Sequence, residues 1–301
     1  MKLKIILFLT GSFLISSLFT SIICFKLRKD SPEKTLSLFT ILTVLCSRED
    51  LCPILFDNTT TTLPEILEKI HLHPTVPPII WSFWFSSEQK MGPLREQGIN
   101  TMATRFGVPV IFLTEKTIQP FLQWSIHPAL QYASKMHMAD YFRIYFCYHY
   151  GGGYADLKLY MEGTQKWTPF FQELEDAQEA DVLGVPEIGP YGVASPPNQS
   201  LGEFHYRLIS NGFFIAKRNN DYFYKVHQRQ NDLLTNLTAE LIKHPAPYDR
   251  CCRDHEQGYP IDWSGLLGQI MSSVGVTIEP WEKRILRKLT YPPYGNYVDE
   301  K

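Results

Sequence analysis

The chain has 301 residues, of which 44% are hydrophobic and 20% are charged, and its formal net charge is −2. This near-balance argues against nucleic acid as a partner, because no net positive field is present to hold a phosphate backbone. Without the first quarter of the chain, residues 76–301 are still enough for one sizeable domain with its own hydrophobic core.

The first feature along the chain is an uncharged apolar run from Ile5 to Phe25. At 1.5 Å per residue the run reaches about 30 Å, the hydrocarbon thickness of a bilayer. It predicts a transmembrane signal anchor at 5–25, after a cytosolic tail at 1–4 and before a stem at 26–75. A cleaved signal peptide is the alternative, but its apolar core would be shorter and would end in small residues. Lys and Arg flank both sides and slightly favour a cytosolic C-terminal part.

Two other features favour a C-terminal part in the lumen of the secretory pathway. Three N-glycosylation sequons begin at Asn58, Asn198 and Asn236. Five cysteines follow the apolar run, and an oxidising lumen would let some of them pair, with at least one thiol left over. They are Cys46, Cys52, Cys147, Cys251 and Cys252. We therefore expect a single-pass type II membrane protein of the Golgi or endoplasmic reticulum, with its C-terminal domain in the lumen.

The domain at 76–301 alternates between strand and helix patterns. Ile79–Phe85 is an apolar and aromatic run typical of a buried strand, and Val110–Leu113 is a second one. Pro93–Arg105, between them, has the proline and glycine boundaries of a helix. This order predicts an α/β fold with a mostly parallel sheet. Later strands are predicted at Asp181–Val185, Phe213–Ala216 and Val276–Glu279, and later helices at Asp221–Leu234 and Ser264–Ser273.

A helix followed by a glycine triplet precedes the residues best suited to chemistry. Met136–Tyr150 has a helical apolar pattern, and Asp140 and Arg143 are neighbours three residues apart on it. Gly151–Gly153 then stops the helix and permits positive φ and close approach of other backbone. Each feature alone has an ordinary structural explanation, as a helix-surface ion pair and a helix terminator. Their combination with an acidic strand is much less common and indicates a functional site.

The segment Tyr154–Met161 alternates between polar and apolar residues, which predicts a strand with Asp156 and Lys158 on one face. A carboxylate at a strand end can hold Mn²⁺ or Mg²⁺, and such an ion bridges the phosphates of a sugar diphosphate. Cations placed there stabilise the charge that develops on a leaving nucleoside diphosphate. Asp140 can accept hydrogen bonds from ribose or sugar hydroxyls, and Arg143 can donate to Asp140 or to a phosphate.

These residues resemble the core signature of the DXD sugar-binding glycosyltransferases of family 32 type. This family includes α-1,6-mannosyltransferases, α-1,4-galactosyltransferases and capsular-polysaccharide synthesis proteins. The matching segments are Ala139-Asp140-Tyr141-Phe142-Arg143, Tyr150-Gly151-Gly152-Gly153-Tyr154 and Asp156-Leu157-Lys158, with two strand-like segments at Pro77–Trp84 and Val110–Thr114. The resemblance is good from about Val76 to Tyr160 and faint beyond.

The resemblance implies a GT-A type α/β fold, a nucleotide-sugar donor and retention of anomeric configuration. It makes Asp140 and Arg143 contacts of the donor ribose and sugar, and Asp156 the first aspartate of the motif and a metal ligand. It also implies that Trp84 stacks near the nucleotide base, which its flat face suits; a core position is the alternative for Trp84. Gly152, Gly153 and Tyr154 are further expected substrate contacts. The expected activity is transfer of a hexose to a glycan, glycolipid or glycoprotein acceptor.

The sequence departs from the family motif at its last position, where Lys158 replaces the second aspartate. A single carboxylate holds a divalent ion poorly, and a neighbouring ammonium repels it, so Mn²⁺ or Mg²⁺ is a doubtful cofactor. Two hypotheses follow. Either Lys158 neutralises the diphosphate itself and acts with Asp156 in an active enzyme, or the chain is an inactive relative that binds a sugar nucleotide or glycan as a partner subunit. We favour the active enzyme, because Asp140, Arg143 and Asp156 are all present.

A candidate acceptor loop follows later, at Tyr259–Trp263. Trp263 offers a stacking platform for a sugar ring, and Asp262 can bind hydroxyl groups. The pattern alone favours the other interpretation, an ordinary loop anchored by a core tryptophan. No base or nucleophile can be assigned from the sequence.

Overall fold

The computed structural model describes residues Glu68, Ile70, 75–85, 91–246 and 258–294. The predicted anchor at 5–25, nearly all of the predicted stem and the sequon at Asn58 lie outside these described residues. Within them, no helix is long and apolar enough to cross a membrane.

A single sheet forms the centre of the described domain. Its strands are β1 (Ile80–Trp84), β2 (Val110–Thr114), β3 (Gly152–Ala155), β4 (Val182–Pro186), β5 (Ile209–Ala216) and β6 (Ile285–Leu286), in the order β2-β1-β3-β5-β4-β6. Strand β1 pairs in parallel with β2 and β3, and β4 pairs in parallel with β6. Strand β5 runs antiparallel to β3 and β4. The predicted α/β fold with a mostly parallel sheet is therefore confirmed.

Seven helices surround the sheet in the described part of the chain, and two of them begin at side-chain caps. They are α1 (Pro93–Phe106), α2 (Lys135–His149), α3 (Thr168–Asp176), α4 (Asp221–Asn236), α5 (Thr238–Lys243), α6 (Gly268–Gly275) and α7 (Trp281–Arg284). The Ser134 hydroxyl accepts the His137 N–H at the start of α2, and the Asn220 side chain accepts the Phe223 N–H at the start of α4. Helix α1 ends at Gly107, whose φ of 77° is left-handed.

Helices α2 and α3 cover opposite faces of the sheet. Tyr154 of β3 points towards α2, with its ring 4.3 Å from the guanidinium carbon of Arg143. A side chain at the adjacent Gly153 would instead meet Trp167, which directly precedes α3, and Phe171 of α3. Successive strand residues point to opposite faces, so the two helices sandwich β3. Strand β1 is correspondingly buried on both faces, which explains its nearly continuous apolar sequence.

The sequence prediction was wrong for two strands. Val276–Glu279 is not a strand, because the Thr277 N–H and hydroxyl both donate to the Val274 carbonyl and close a turn there. The predicted strand Tyr154–Met161 is shorter than expected, since β3 ends at Ala155 and only an isolated bridge joins Tyr160 to Tyr294. The predicted helix Ser264–Ser273 begins later and ends later, as α6.

Candidate active site

The candidate site lies at the carboxyl ends of β1 and β3. In the strand order, the chain moves from β1 outwards to β2, at one end of the sheet. From β3 it moves in the opposite direction, to β4 and β5, so the order reverses between β1 and β3. Ligands of open α/β sheets bind at such a reversal, outside the carboxyl ends of the strands. Trp84 is the last residue of β1 and Asp156 follows the last residue of β3. The topology therefore brings these two predicted site residues to the same edge of the sheet.

Arg143 connects helix α2 to this edge. Its Nη2 atom lies 3.0 Å from Asp140 Oδ1, and its Nη1 atom lies 3.4 Å from Asp156 Oδ1 and donates to the Asn211 carbonyl oxygen at 2.8 Å. The side chains of Asp140 and Arg143 are buried. A planar guanidinium carries several N–H donors, so it can hold two carboxylates and a carbonyl at once. The structure thus joins three predicted site residues in one ion-pair network.

The Asp140 carboxyl is unusual because it is buried on a helix. Burial raises its pKa to about 6, Arg143 opposes that shift, and the negative charge of Asp156 adds to it. A carboxyl group with a pKa near 6 exchanges its proton close to neutral pH, and burial of such a group costs free energy. Carboxyl groups with strongly perturbed pKa values are typical of functional sites.

Asp156 is the most accessible member of the network, with 30% of its side chain exposed. The Tyr154 hydroxyl donates to Asp156 Oδ1 at 2.9 Å, and Lys158 Nζ lies 3.3 Å from Asp156 Oδ2. The backbone N–H of Asp156 donates to the Gly212 carbonyl of β5 at 3.1 Å. The predicted placement of Asp156 and Lys158 on one side is therefore confirmed, although the strand itself ends before them.

The Lys158 ammonium lies between Asp156 and two aromatic rings. Its Nζ atom is 4.1 Å from the ring centre of Tyr294 and 5.2 Å from that of Phe213, and only 8% of the side chain is exposed. Tyr294 is fixed there by its bridge to Tyr160. Sequence reasoning missed Tyr294, because no local pattern indicates that a residue so distant along the chain packs against Lys158.

The predicted glycine contacts Gly152 and Gly153 lie within the sheet. Gly151 and Gly152 have φ values of 74° and 98°, and a Cβ atom on Gly151 would lie 2.5 Å from the Thr75 carbonyl oxygen. The glycine triplet thus turns the chain sharply from α2 into β3 and directs the strand towards Asp156. Contact of Gly152 or Gly153 with a substrate stays a prediction.

Two glycines outside the triplet shape the site more directly. A Cβ atom on Gly212 would lie 3.0 Å from Asp156 Oδ2, and one on Gly98 of α1 would lie 2.6 Å from the Lys158 carbonyl oxygen. The absence of a side chain lets β5 and α1 approach Asp156 and Lys158 closely. Sequence reasoning missed both glycines, since each is an isolated glycine within a regular element.

Arg95 packs against Trp84, a contact that the sequence did not indicate. The Arg95 guanidinium carbon lies 5.1 Å from the Trp84 ring centre, and Arg95 Nη1 donates to the Leu157 carbonyl oxygen at 2.8 Å. Arg95 thereby joins the end of β1 to the segment between Asp156 and Lys158. Trp84 is half-buried, and its stacking on a nucleotide base stays a prediction.

The predicted acceptor loop is attached to the start of α2 by His137. His137 Nδ1 lies 2.9 Å from the Tyr259 hydroxyl, and Nε2 lies 3.0 Å from the Asp262 carbonyl oxygen, which can only accept. Burial lowers the pKa of His137 to about 4, so the ring is neutral at pH 7. Trp263 is 47% exposed whereas Tyr259 is buried. The alternative of a core tryptophan is therefore wrong, because Tyr259 is the buried anchor.

The residues at the site do not fit a divalent metal ion. Both Asp156 oxygens already face hydrogen-bond donors, namely Arg143, Tyr154 and Lys158. Mg²⁺ and Mn²⁺ require several oxygen ligands, and an ammonium at 3.3 Å would repel them. Across the described ranges, no three His, Cys, Asp or Glu side chains group closely enough to hold a metal. The donor set at this edge thus differs from the acidic pair that the family motif supplies.

Comparison with known proteins gives no independent identification. No protein-family model, no curated protein and no solved structure matches the chain. The functional interpretation therefore depends on the geometry at the carboxyl ends of β1 and β3.

Proposed function

We propose that the chain is a GT-A type glycosyltransferase that moves a hexose from a nucleotide-sugar donor to a glycan or glycoconjugate acceptor with retention of configuration. The observation that carries the proposal is the network of Asp140, Arg143, Asp156 and Lys158 at the carboxyl ends of parallel strands. Ligands of α/β sheets bind at this edge, and the paired cations suit a diphosphate.

Each residue has a chemical task in this proposal. The acceptor hydroxyl oxygen forms a bond to the anomeric carbon of the sugar as the bond from that carbon to the diphosphate oxygen breaks. The diphosphate oxygen keeps the electron pair and takes up the acceptor proton, and the Lys158 ammonium stabilises the charge that develops on it. Asp140 and Asp156 accept hydrogen bonds from hydroxyl groups of the donor. Arg143 holds both carboxylates in place before the donor binds, which lowers the cost of ordering the site.

The acceptor would enter beside the Tyr259–Trp263 loop. Its exposed Trp263 offers an apolar face for a sugar ring. His137, which lies one helical turn before Asp140 on α2, donates to the Asp262 carbonyl and so holds the loop near the site. We also propose that the site faces the secretory lumen, behind an N-terminal anchor in the Golgi or endoplasmic reticulum. The described sequon residues Asn198 and Asn236 are both exposed, which supports this location.

A second candidate function is a partner subunit that binds a sugar nucleotide or glycan without turnover. The observation that favours it is the burial of Lys158 beneath Tyr294, together with its ion pair to Asp156. These contacts hold Lys158 within the folded structure, as a binding site without catalytic activity would require.

The test is release of nucleoside diphosphate by the purified full-length chain from a panel of nucleotide sugars, with a glycan acceptor mixture. Release from one donor that increases with acceptor is the result expected of a glycosyltransferase. Saturable donor binding without release would favour the partner subunit. A folded protein that neither binds nor cleaves any donor would contradict both functions.

A further inference from the structure

Lys158 stands where the resembled motif has its second carboxylate, and the structure shows how its ammonium is held. Resting on the proposed function, we propose that Lys158, positioned by Tyr294, takes the role of a divalent cation at the donor diphosphate, so that donor binding needs no metal. The chemical class of ligand is a nucleoside diphosphate or its sugar ester.

The charge of the cluster supports this substitution. Asp140 and Asp156 are balanced by Arg143 and Lys158, so the four side chains are together neutral when all are ionised. A carboxylate at position 158 would make the cluster more negative by two units. One divalent cation supplies two positive charges, so a lysine at this position gives the same net charge as a carboxylate together with its metal ion.

The contacts of Asp156 support it independently. A metal at this position would have to displace the Tyr154 hydroxyl at 2.9 Å and the Lys158 ammonium at 3.3 Å from the carboxylate. Arg143, which also faces the carboxylate, is tied to the Asn211 carbonyl at 2.8 Å. The cations are therefore part of the folded framework and lie in the place where metal ligands would be needed.

Tyr294 is the positioning residue. An aromatic face attracts an ammonium without neutralising its charge, and the Tyr294 ring lies 4.1 Å from Lys158 Nζ. The segment that carries Tyr294 is held by the Met161 N–H, which donates to the Pro293 carbonyl at 2.9 Å, and by the bridge to Tyr160. A flexible lysine is thus held in one position, and a phosphate oxygen can compete for it through a charge-assisted hydrogen bond.

Titration calorimetry of the full-length chain with uridine diphosphate and guanosine diphosphate tests the inference, in buffer with EDTA and in buffer with Mn²⁺. We expect equal affinity in both buffers for the nucleotide that binds. Lys158→Ala weakens binding by about 10- to 100-fold in both. Lys158→Asp gives Asp156 the acidic partner that the resembled motif has, and we expect this variant to bind the nucleotide only with Mn²⁺.

Tyr294 is tested by substitution in two backgrounds. Tyr294→Leu weakens binding several-fold when Lys158 is present and has no further effect beside Lys158→Ala, because it acts through the ammonium. Tyr294→Phe keeps the ring face and restores binding relative to Tyr294→Leu. An equal loss for Tyr294→Leu in both backgrounds would overturn the positioning role, and thermal unfolding shows that each variant is folded.

The two proposals fail in different ways. Loss of wild-type binding in EDTA, with recovery in Mn²⁺, would overturn metal-free binding and leave the glycosyltransferase proposal standing. Absence of nucleotide binding in both buffers, by a folded chain, would overturn the proposed function and this inference together.

Discussion

Arg143 Nη1 lies 3.4 Å from Asp156 Oδ1, so a buried cation of helix α2 is paired with the carboxylate that follows strand β3. The same guanidinium holds Asp140 at 3.0 Å. Removing it by Arg143→Ala leaves two carboxylates without their shared cation. Breaking a buried pair by removing one partner costs about 3–5 kcal/mol. We expect that loss in the free energy of unfolding, measured by urea denaturation at pH 7.5.

The matched control for this prediction is the double variant Asp140→Asn with Arg143→Ala. The neutral amide needs no counter-ion, so the double variant should be more stable than Arg143→Ala alone. Equal stability of the two variants would show that the guanidinium does not compensate the Asp140 charge.

Asp140→Asn should stabilise the folded protein at pH 7.5, because Arg143 keeps Asp156 and the Asn211 carbonyl as partners when the Asp140 charge is removed. The carboxyl has a pKa of about 6 in the folded chain against 3.8 ordinarily, because burial disfavours its charge. Folding is therefore opposed by this group above pH 6, and the opposition fades as the pH falls towards 4. The variant should gain up to about 3 kcal/mol at pH 7.5 and less than about 1 kcal/mol near pH 4. Chemical denaturation across this pH range measures the gain, and a constant difference would contradict it.

Donor turnover should move in the opposite direction in the same variant. Asp140→Asn removes the charge that accepts from donor hydroxyls, so we expect turnover to fall at least about tenfold while stability rises. A stabilised variant with unchanged turnover would remove Asp140 from the proposed site.

Gly151→Ala and Gly163→Ala form a matched pair that separates backbone strain from a steric clash. Both glycines have left-handed φ, at 74° and 86°, but a Cβ atom on Gly163 has nothing within 4 Å, whereas one on Gly151 would lie 2.5 Å from the Thr75 carbonyl. Gly163→Ala should cost about 1–2 kcal/mol from strain alone. Gly151→Ala should cost more than about 3 kcal/mol. Similar losses would show that the turn relaxes.

N-glycans at Asn198 and Asn236 test the proposed lumenal orientation. Both residues are exposed, and Asn198 lies in a turn with a φ of 63°. In a secretory host, Asn198→Gln and Asn236→Gln should each remove one step from the electrophoretic mobility shift that glycosidase treatment reverses. A chain insensitive to glycosidase would contradict the lumenal orientation.

The sequence predicted the elements whose boundaries are set locally. Helix α2 was expected at Met136–Tyr150 and lies at Lys135–His149, since a serine cap and the glycine triplet mark its ends. Strand β1 was likewise predicted within one residue at each end, because a buried run between two prolines and two serines has a clear local pattern. The failed strand Val276–Glu279 has β-branched residues but no strand partner, and pairing is a property of the whole fold.

The candidate site was predictable only in part. The pairs Asp140–Arg143 and Asp156–Lys158 follow from helical and strand spacing, and the structure confirms both. Their union through Arg143 depends on how α2 lies across the sheet, which spacing does not determine. Arg95 and Tyr294 approach from 62 and 136 positions away from the residues they contact, Leu157 and Lys158, and no local pattern predicts such distant contacts.

The contact between Tyr294 and Lys158 has a practical consequence for handling this protein. An affinity tag or fusion partner attached close behind Tyr294 would be placed beside the ammonium that we assign to the donor. Assays should therefore use protein labelled well away from Tyr294, since a label inserted beside it would weaken donor binding and be mistaken for an intrinsic lack of activity.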